Sequence, residues 1–135
     1  MRRALIALTA CAALGMSGMS ACGADLDDSL GAPKPTFPPN GETAKVLALD
    51  NNFIPQKLTV KAGTEVVFHN NGRNDHNVVP VDDLQLTTWG VRESAFGPTA
   101  AYSHLFASPG TYVYYCTIHG TPKAAMFGTI TVTAP

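Results

Sequence analysis

Charge is scarce in this 135-residue chain: 14% of residues are charged, and nine lysines and arginines face ten aspartates and glutamates. A formal net charge of −1 gives no cationic stripe along which a phosphate backbone could lie, so nucleic acid is not an expected partner. Periodic repeats are absent, and twelve glycines with ten prolines work against long helices and coiled coils. The apolar run Ala4–Leu14 is shorter than the roughly 20 residues of a membrane-spanning helix, and Gly15, Ser17 and Gly18 break its continuation. Cysteine is rare as well. Cys11 and Cys22 lie in the N-terminal segment, which leaves Cys116 as the only thiol of the body and excludes an internal disulfide there.

What is present divides the chain in three. Arg2 and Arg3, the apolar run, and the small residues before Cys22 follow the order of an export signal, residues 1–21. Ser20-Ala21-Cys22 resembles a bacterial lipobox, with Met19 where leucine is usual. Leu8-Thr9-Ala10-Cys11 fits the box better by letter but leaves only about seven apolar residues ahead of the cleavage point. Lipid attachment at Cys22 would hold the mature protein at the outer face of a membrane, in the cell envelope or periplasm, without a spanning helix. The alternative is an ordinary signal-peptidase site with Cys22 as a small residue beside it. Residues 22–43, with Asp25, Asp27, Asp28 and four prolines, bury too little apolar surface to offset the entropy of ordering and read as a flexible spacer.

Residues 44–135 keep an apolar period of two, punctuated by the turns Ala62-Gly63, Asn71-Gly72 and Pro109-Gly110. Strands are predicted over 45–50, 57–61, 65–70, 77–81, 103–107, 111–116 and 128–133. Seven short strands without a helix of any length predict an all-β, antiparallel Greek-key β-sandwich. The stretch 82–101 lacks alternation and reads as a long excursion with one helical turn, in which Trp89 packs and Asp82 and Asp83 form a solvated turn. In strand 111–116 the alternation puts Tyr112, Tyr114 and Cys116 on the inward face.

An inward-facing lone thiol is ordinarily an inert small hydrophobe. Here His119 follows Cys116 by three residues, Met126 by ten, and His76 stands upstream after the turn-rich stretch 70–75. A thiolate, two neutral imidazoles and a thioether suit copper in both oxidation states, with methionine as a weak axial ligand. Zinc would also accept three strong nitrogen and sulfur donors. His69 falls on the other face of its strand from Val66 and Phe68, and His104 sits in a similar strand, so neither is placed for ligation.

These residues resemble the cupredoxins, the small blue-copper proteins of the plastocyanin, pseudoazurin and amicyanin type. Leu58-Thr59-Val60-Lys61-Ala62-Gly63-Thr64 is similar to the family's opening strands, and Asn70 followed by His76-Asn77-Val78-Val79 to its first ligand motif. Tyr114-Tyr115-Cys116-Thr117-Ile118-His119-Gly120 resembles its ligand loop and Met126-Phe127-Gly128-Thr129-Ile130 its closing strand. The resemblance implies one type 1 copper per chain, with His76, Cys116 and His119 as equatorial ligands, Met126 as the axial ligand, and Asn77 linking the two ligand loops and holding the thiolate. It departs in one place: six residues separate His119 from Met126, against four in plastocyanin-like loops. An empty axial position, or one taken by a backbone carbonyl, is the alternative to Met126.

The implied function is single-electron transfer between redox partner proteins that dock transiently near His119, with no catalysis. From residue 45 onward six lysines and arginines match six aspartates and glutamates, which implies little electrostatic steering. Multicopper oxidases and nitrite reductases need further histidine clusters, which two spare histidines cannot make. Two alternatives stand beside the electron shuttle: an extracytoplasmic copper carrier or storage protein, and a sandwich without metal.

Overall fold

The computed structural model describes residues 33–135. The export signal, Cys11, Cys22 and half of the spacer lie outside the described residues. Eight strands follow one another: β1 Thr43–Ala48, β2 Phe53–Ile54, β3 Lys57–Lys61, β4 Thr64–Asn70, β5 Val79–Pro80, β6 Ala101–Phe106, β7 Gly110–Thr121 and β8 Ala124–Thr133. Helix is confined to two short 3₁₀ turns, Asp83–Gln85 and Glu93–Ala95, among the described residues. None is long and apolar enough to cross a membrane.

The strands form two four-stranded sheets, ordered β2-β1-β4-β6 and β3-β8-β7-β5. The sandwich is as expected, but its sheets are mixed rather than purely antiparallel. β1 runs parallel to β4, and β3 runs parallel to β8. The reason is the path of the chain: after β2 it crosses to the second sheet for β3 and returns for β4, so β4 meets β1 in the same direction. All other ladders are antiparallel.

The period of two decides which side chains meet between the sheets. Val46 and Ala48 from β1, Val66 and Phe68 from β4, Tyr114 and Cys116 from β7, and Met126, Ile130 and Val132 from β8 are all buried. The excursion between β5 and β6 adds Trp89 and Phe96 to this core. Trp89 lies between the sheets with ring centroids 5.1 Å from Phe106, 6.0 Å from Tyr114 and 6.3 Å from Phe68. Its Nε1–H donates to Oε1 of Gln85 at 2.9 Å, and Gln85 in turn donates to Asp82 at 2.9 Å. Asp82 also accepts from the Leu84 N–H at 3.0 Å, so it caps the first 3₁₀ turn rather than merely facing water.

The start of the domain lies earlier than the change in composition suggests. Phe37 donates its N–H to the Ala107 carbonyl at 2.8 Å and packs against the core. Asn40 pairs with Gly63 through its backbone and with Thr64 Oγ1 at 3.0 Å through its side chain. Phe37 and Asn40 together fix this segment, Asn40 along the Ala62-Gly63 turn and Phe37 beside Ala107.

Trp89 links the excursion to both sheets, so Trp89→Ala is expected to remove about 3–5 kcal/mol from the unfolding free energy of the metal-free protein, a large aromatic-to-alanine cost. Urea titration measures it. A loss below about 1 kcal/mol would mean that the excursion is not anchored through this ring.

Candidate metal centre

At one end of the sandwich β7 and β8 lose step. Tyr115 lies opposite Phe127 and Gly120 opposite Ala125, so Cys116, Thr117, Ile118 and His119 on β7 face Met126 alone on β8. Excess residues on one strand must bulge out of the ladder, and a bulge re-aims the side chains it carries. Here it turns His119 back toward Cys116. Their Sγ and Nδ1 atoms are 3.7 Å apart.

The two residues that sequence reasoning placed in an open loop, Gly120 and Thr121, are instead paired with Ala125 and Ala124, leaving Pro122 and Lys123 as the tip. The extra length after His119 is therefore taken up in a short hairpin and does not carry Met126 away. Gly120 approaches Met126 so closely that a Cβ there would stand 2.6 Å from the Met126 backbone nitrogen. Only glycine fits. Met126 itself is fully buried.

His76 enters from the other side of the site. Its N–H donates to the Phe96 carbonyl at 3.2 Å, and its Nδ1 lies 3.7 Å from Cys116 Sγ. Beside it, Asn77 Nδ2 donates to Thr117 Oγ1 at 2.8 Å, and Asn77 Oδ1 accepts from the Thr117 N–H at 2.8 Å. This two-way bond joins the residue after His76 to the residue after Cys116. The predicted strand 77–81 shrinks to Val79–Pro80 because Asn77 is engaged here, while Val78 bridges to Val91 of the excursion.

The ligating atoms of His76, Cys116 and His119 all lie within 4.8 Å of one another. An ion about 2.3 Å from sulfur and about 2.0 Å from nitrogen, at tetrahedral to trigonal angles, would set sulfur and nitrogen roughly 3.5–3.7 Å apart. The two 3.7 Å separations fit a single ion. Cys116 and His76 are inaccessible to water, whereas His119 is half-buried and Ile118 beside it is 44% exposed. Burial pushes His76 below the ordinary histidine range, and the neighbouring His119 pushes it in the same direction. Its imidazole is thereby held neutral, which leaves a lone pair for a metal.

His69 and His104 stay outside this cluster. His69 is half-buried in β4, opposite Leu47 and Ala101. His104 stacks on Trp89 with centroids 5.7 Å apart. Among the described residues no second group of histidine, cysteine and carboxylate side chains converges.

Residues 43–133 match the model of the copper binding proteins, plastocyanin/azurin family. The chain belongs to that family. Copper is therefore the cofactor of this plastocyanin/azurin-family domain. The chain is 33% identical over 87 residues to plastocyanin A′/A″ of Nicotiana tabacum, across 59% of its own length and 86% of the relative's. It is 35% identical over 100 residues to the chloroplastic plastocyanin of Physcomitrium patens, where it spans 69% of its own length and 58% of that protein's. Among solved structures, a mutant plastocyanin of fern aligns at 30% identity with a TM-score of 0.57, over 67% of this chain and 100% of the other. A copper-containing nitrite reductase from Thermus scotoductus aligns equally well, at 30% identity and TM-score 0.57, but over only 23% of its own chain.

Sequence reasoning placed the ligand cluster and counted Asn70 in the first ligand motif but did not foresee that Asn70 is fully buried. A signal was present: Asn70 continues the inward phase of Val66 and Phe68 in β4, and a polar residue in a buried phase needs partners.

Burial also pulls His104 below its ordinary value. Below about pH 6.5 the unfolded chain therefore binds more protons than the folded one, so stability of the metal-free protein rises with pH through that window and levels off above it. Asp50, held low by hydrogen bonds from Arg73, stays ionised throughout this range. Thermal unfolding at about pH 5 and about pH 7.5 tests the sign, with the lower Tm expected at the lower pH. Equal or reversed values would contradict it.

Proposed function

We propose that this is a small type 1 (blue) copper protein that passes single electrons between redox partner proteins at the cell envelope. The observation that carries the reading is the 3.7 Å approach of Cys116 Sγ to both imidazole Nδ1 atoms, with His119 alone of the three reaching solvent. His76, Cys116, His119 and Met126 would hold the ion, Met126 supported by its place opposite the bulge that holds Cys116 and His119. When bound, copper takes up and returns one electron.

The chain's own residues do the rest. The Asn77–Thr117 bonds tie the His76 segment to the β7 bulge and so hold the donors in one arrangement whatever the redox state, which keeps reorganisation small. Buried Cys116 and Met126 keep water from the sulfurs. His119, flanked by exposed Ile118 and half-buried Pro122, forms the port at which a partner docks, in a contact of the small, weak kind typical of electron carriers. A protein that hands copper itself to a partner needs ligands the partner can reach, and full burial of His76 and Cys116 favours the electron carrier. The likeness to a nitrite reductase concerns a fraction of that enzyme, and His69 and His104 are too dispersed to build a second copper site. The proposal includes no enzymatic step.

Residues 1–21 act in this reading as an export signal and Cys22 as the lipid attachment point, with 22–43 as the tether to the domain. Sequence alone supports that part. Mass spectrometry of the membrane fraction should find a diacylglyceryl-modified Cys22 at the mature N-terminus. An unmodified N-terminus beginning elsewhere would remove the anchor.

Adding Cu(II) to the metal-free protein should give an intense visible thiolate-to-copper band and an EPR spectrum with small hyperfine splitting. Cys116→Ser should abolish the band, and Met126→Leu should keep copper bound while shifting the reduction potential. Colourless protein that holds zinc in preference would refute the blue-copper assignment, and an unchanged potential in Met126→Leu would strike Met126 from the ligands.

A further inference from the structure

The Asn70 side chain ends β4 with no solvent exposure, with both amide hydrogens and its carbonyl oxygen bonded. Its Nδ2 donates to the Asn74 carbonyl at 2.9 Å and to the Phe96 carbonyl at 2.8 Å, while its Oδ1 accepts from the Gly72 N–H at 3.0 Å. Two carbonyls on one side and an N–H on the other fix which end of the amide is which. The backbone of Asn70 is equally committed, donating to the Ala100 carbonyl at 2.8 Å and accepting from the Thr99 N–H at 2.9 Å. The Phe96 carbonyl that receives Asn70 Nδ2 also receives the His76 N–H at 3.2 Å. Phe96 is itself fully buried and belongs to the excursion that Trp89 and the Val78–Val91 bridge pin to the sandwich.

We propose that Asn70 is a positioning residue for His76, acting through the shared carbonyl of Phe96, which the excursion 82–101 supplies. The inference rests on His76 being a copper ligand. One amide thus closes the 71–75 turn and couples it to the excursion, so the depth and direction at which His76 Nδ1 meets Cys116 depend on a group that touches neither imidazole nor sulfur. Aspartate has the shape of asparagine but would turn a carboxyl oxygen toward two carbonyls. Serine is too short to span them. Either change leaves buried polar groups without partners and frees the Phe96 carbonyl to shift.

Asn70→Asp and Asn70→Ser are compared with the wild type, with and without copper. Without metal, the His76 N–H is expected to exchange with solvent several-fold faster in both variants. With copper, the visible charge-transfer band, the hyperfine splitting and the reduction potential are expected to move away from their wild-type values. A variant with a lower Tm but wild-type band, splitting, potential and His76 exchange would overturn the proposal, since a merely structural role predicts that pattern. Should neither variant fold, the wild type decides: the Asn70 carboxamide protons and the His76 N–H are expected to exchange in step. A His76 N–H exchanging freely while the carboxamide stays protected overturns the coupling. Failure of the copper reading would show differently, as a wild-type protein with no blue band, and the exchange measurements on metal-free protein would still stand.

Discussion

Everything at the metal end depends on one mismatch being held in place: four residues of β7 against one of β8. Left alone, a ladder with such an excess would slip toward a regular register, moving side chains from one face to the other. Two features prevent it. Below the bulge, Tyr114 fills the core against Phe53 and Phe68, with centroids 5.0 Å and 5.2 Å away. Above it, the Gly120–Ala125 and Thr121–Ala124 pairs restart the ladder. The bulge is clamped from both ends, and Cys116, His119 and Met126 inherit their arrangement from that clamp rather than from any loop of their own.

His76 comes from elsewhere in the chain and needs its own support. It receives this from two independent directions. Asn77 ties it to the bulge through Thr117, and the Phe96 carbonyl ties it to the excursion. Its depressed basicity follows from the same burial, so the packing that fixes the ring also fixes its protonation state. A donor set braced in this way is held by protein contacts on two sides.

Much of this was readable from the sequence. The period-two phase of Tyr112, Tyr114 and Cys116 gave the inward thiol, and the short Cys116–His119 spacing gave the convergence that the structure shows. Asn77 was legible as the link between loops only through the resemblance of its motif, His76-Asn77-Val78-Val79, to the cupredoxins. The parallel pairing of β1 with β4 was not readable, since alternation records which face a residue takes and not the direction of its neighbour. Nor was the paired hairpin after His119, because Gly120, Thr121 and Pro122 are turn-forming by composition and only the facing Ala124 and Ala125 make them a ladder. The excursion hid its anchors for a related reason: Trp89 and Phe96 are isolated apolar residues in a stretch without period, and only tertiary contacts reveal that both are core.

The hairpin tip at Pro122 and Lys123 has an evolutionary consequence. Because the residues beneath it are cross-strand partners, chain could be added or removed there in matched pairs without altering the register of Met126 or the reach of His119. The surface offered to other proteins and the coordination chemistry would then vary as separate modules, one free to drift with each new partner while the other stays fixed.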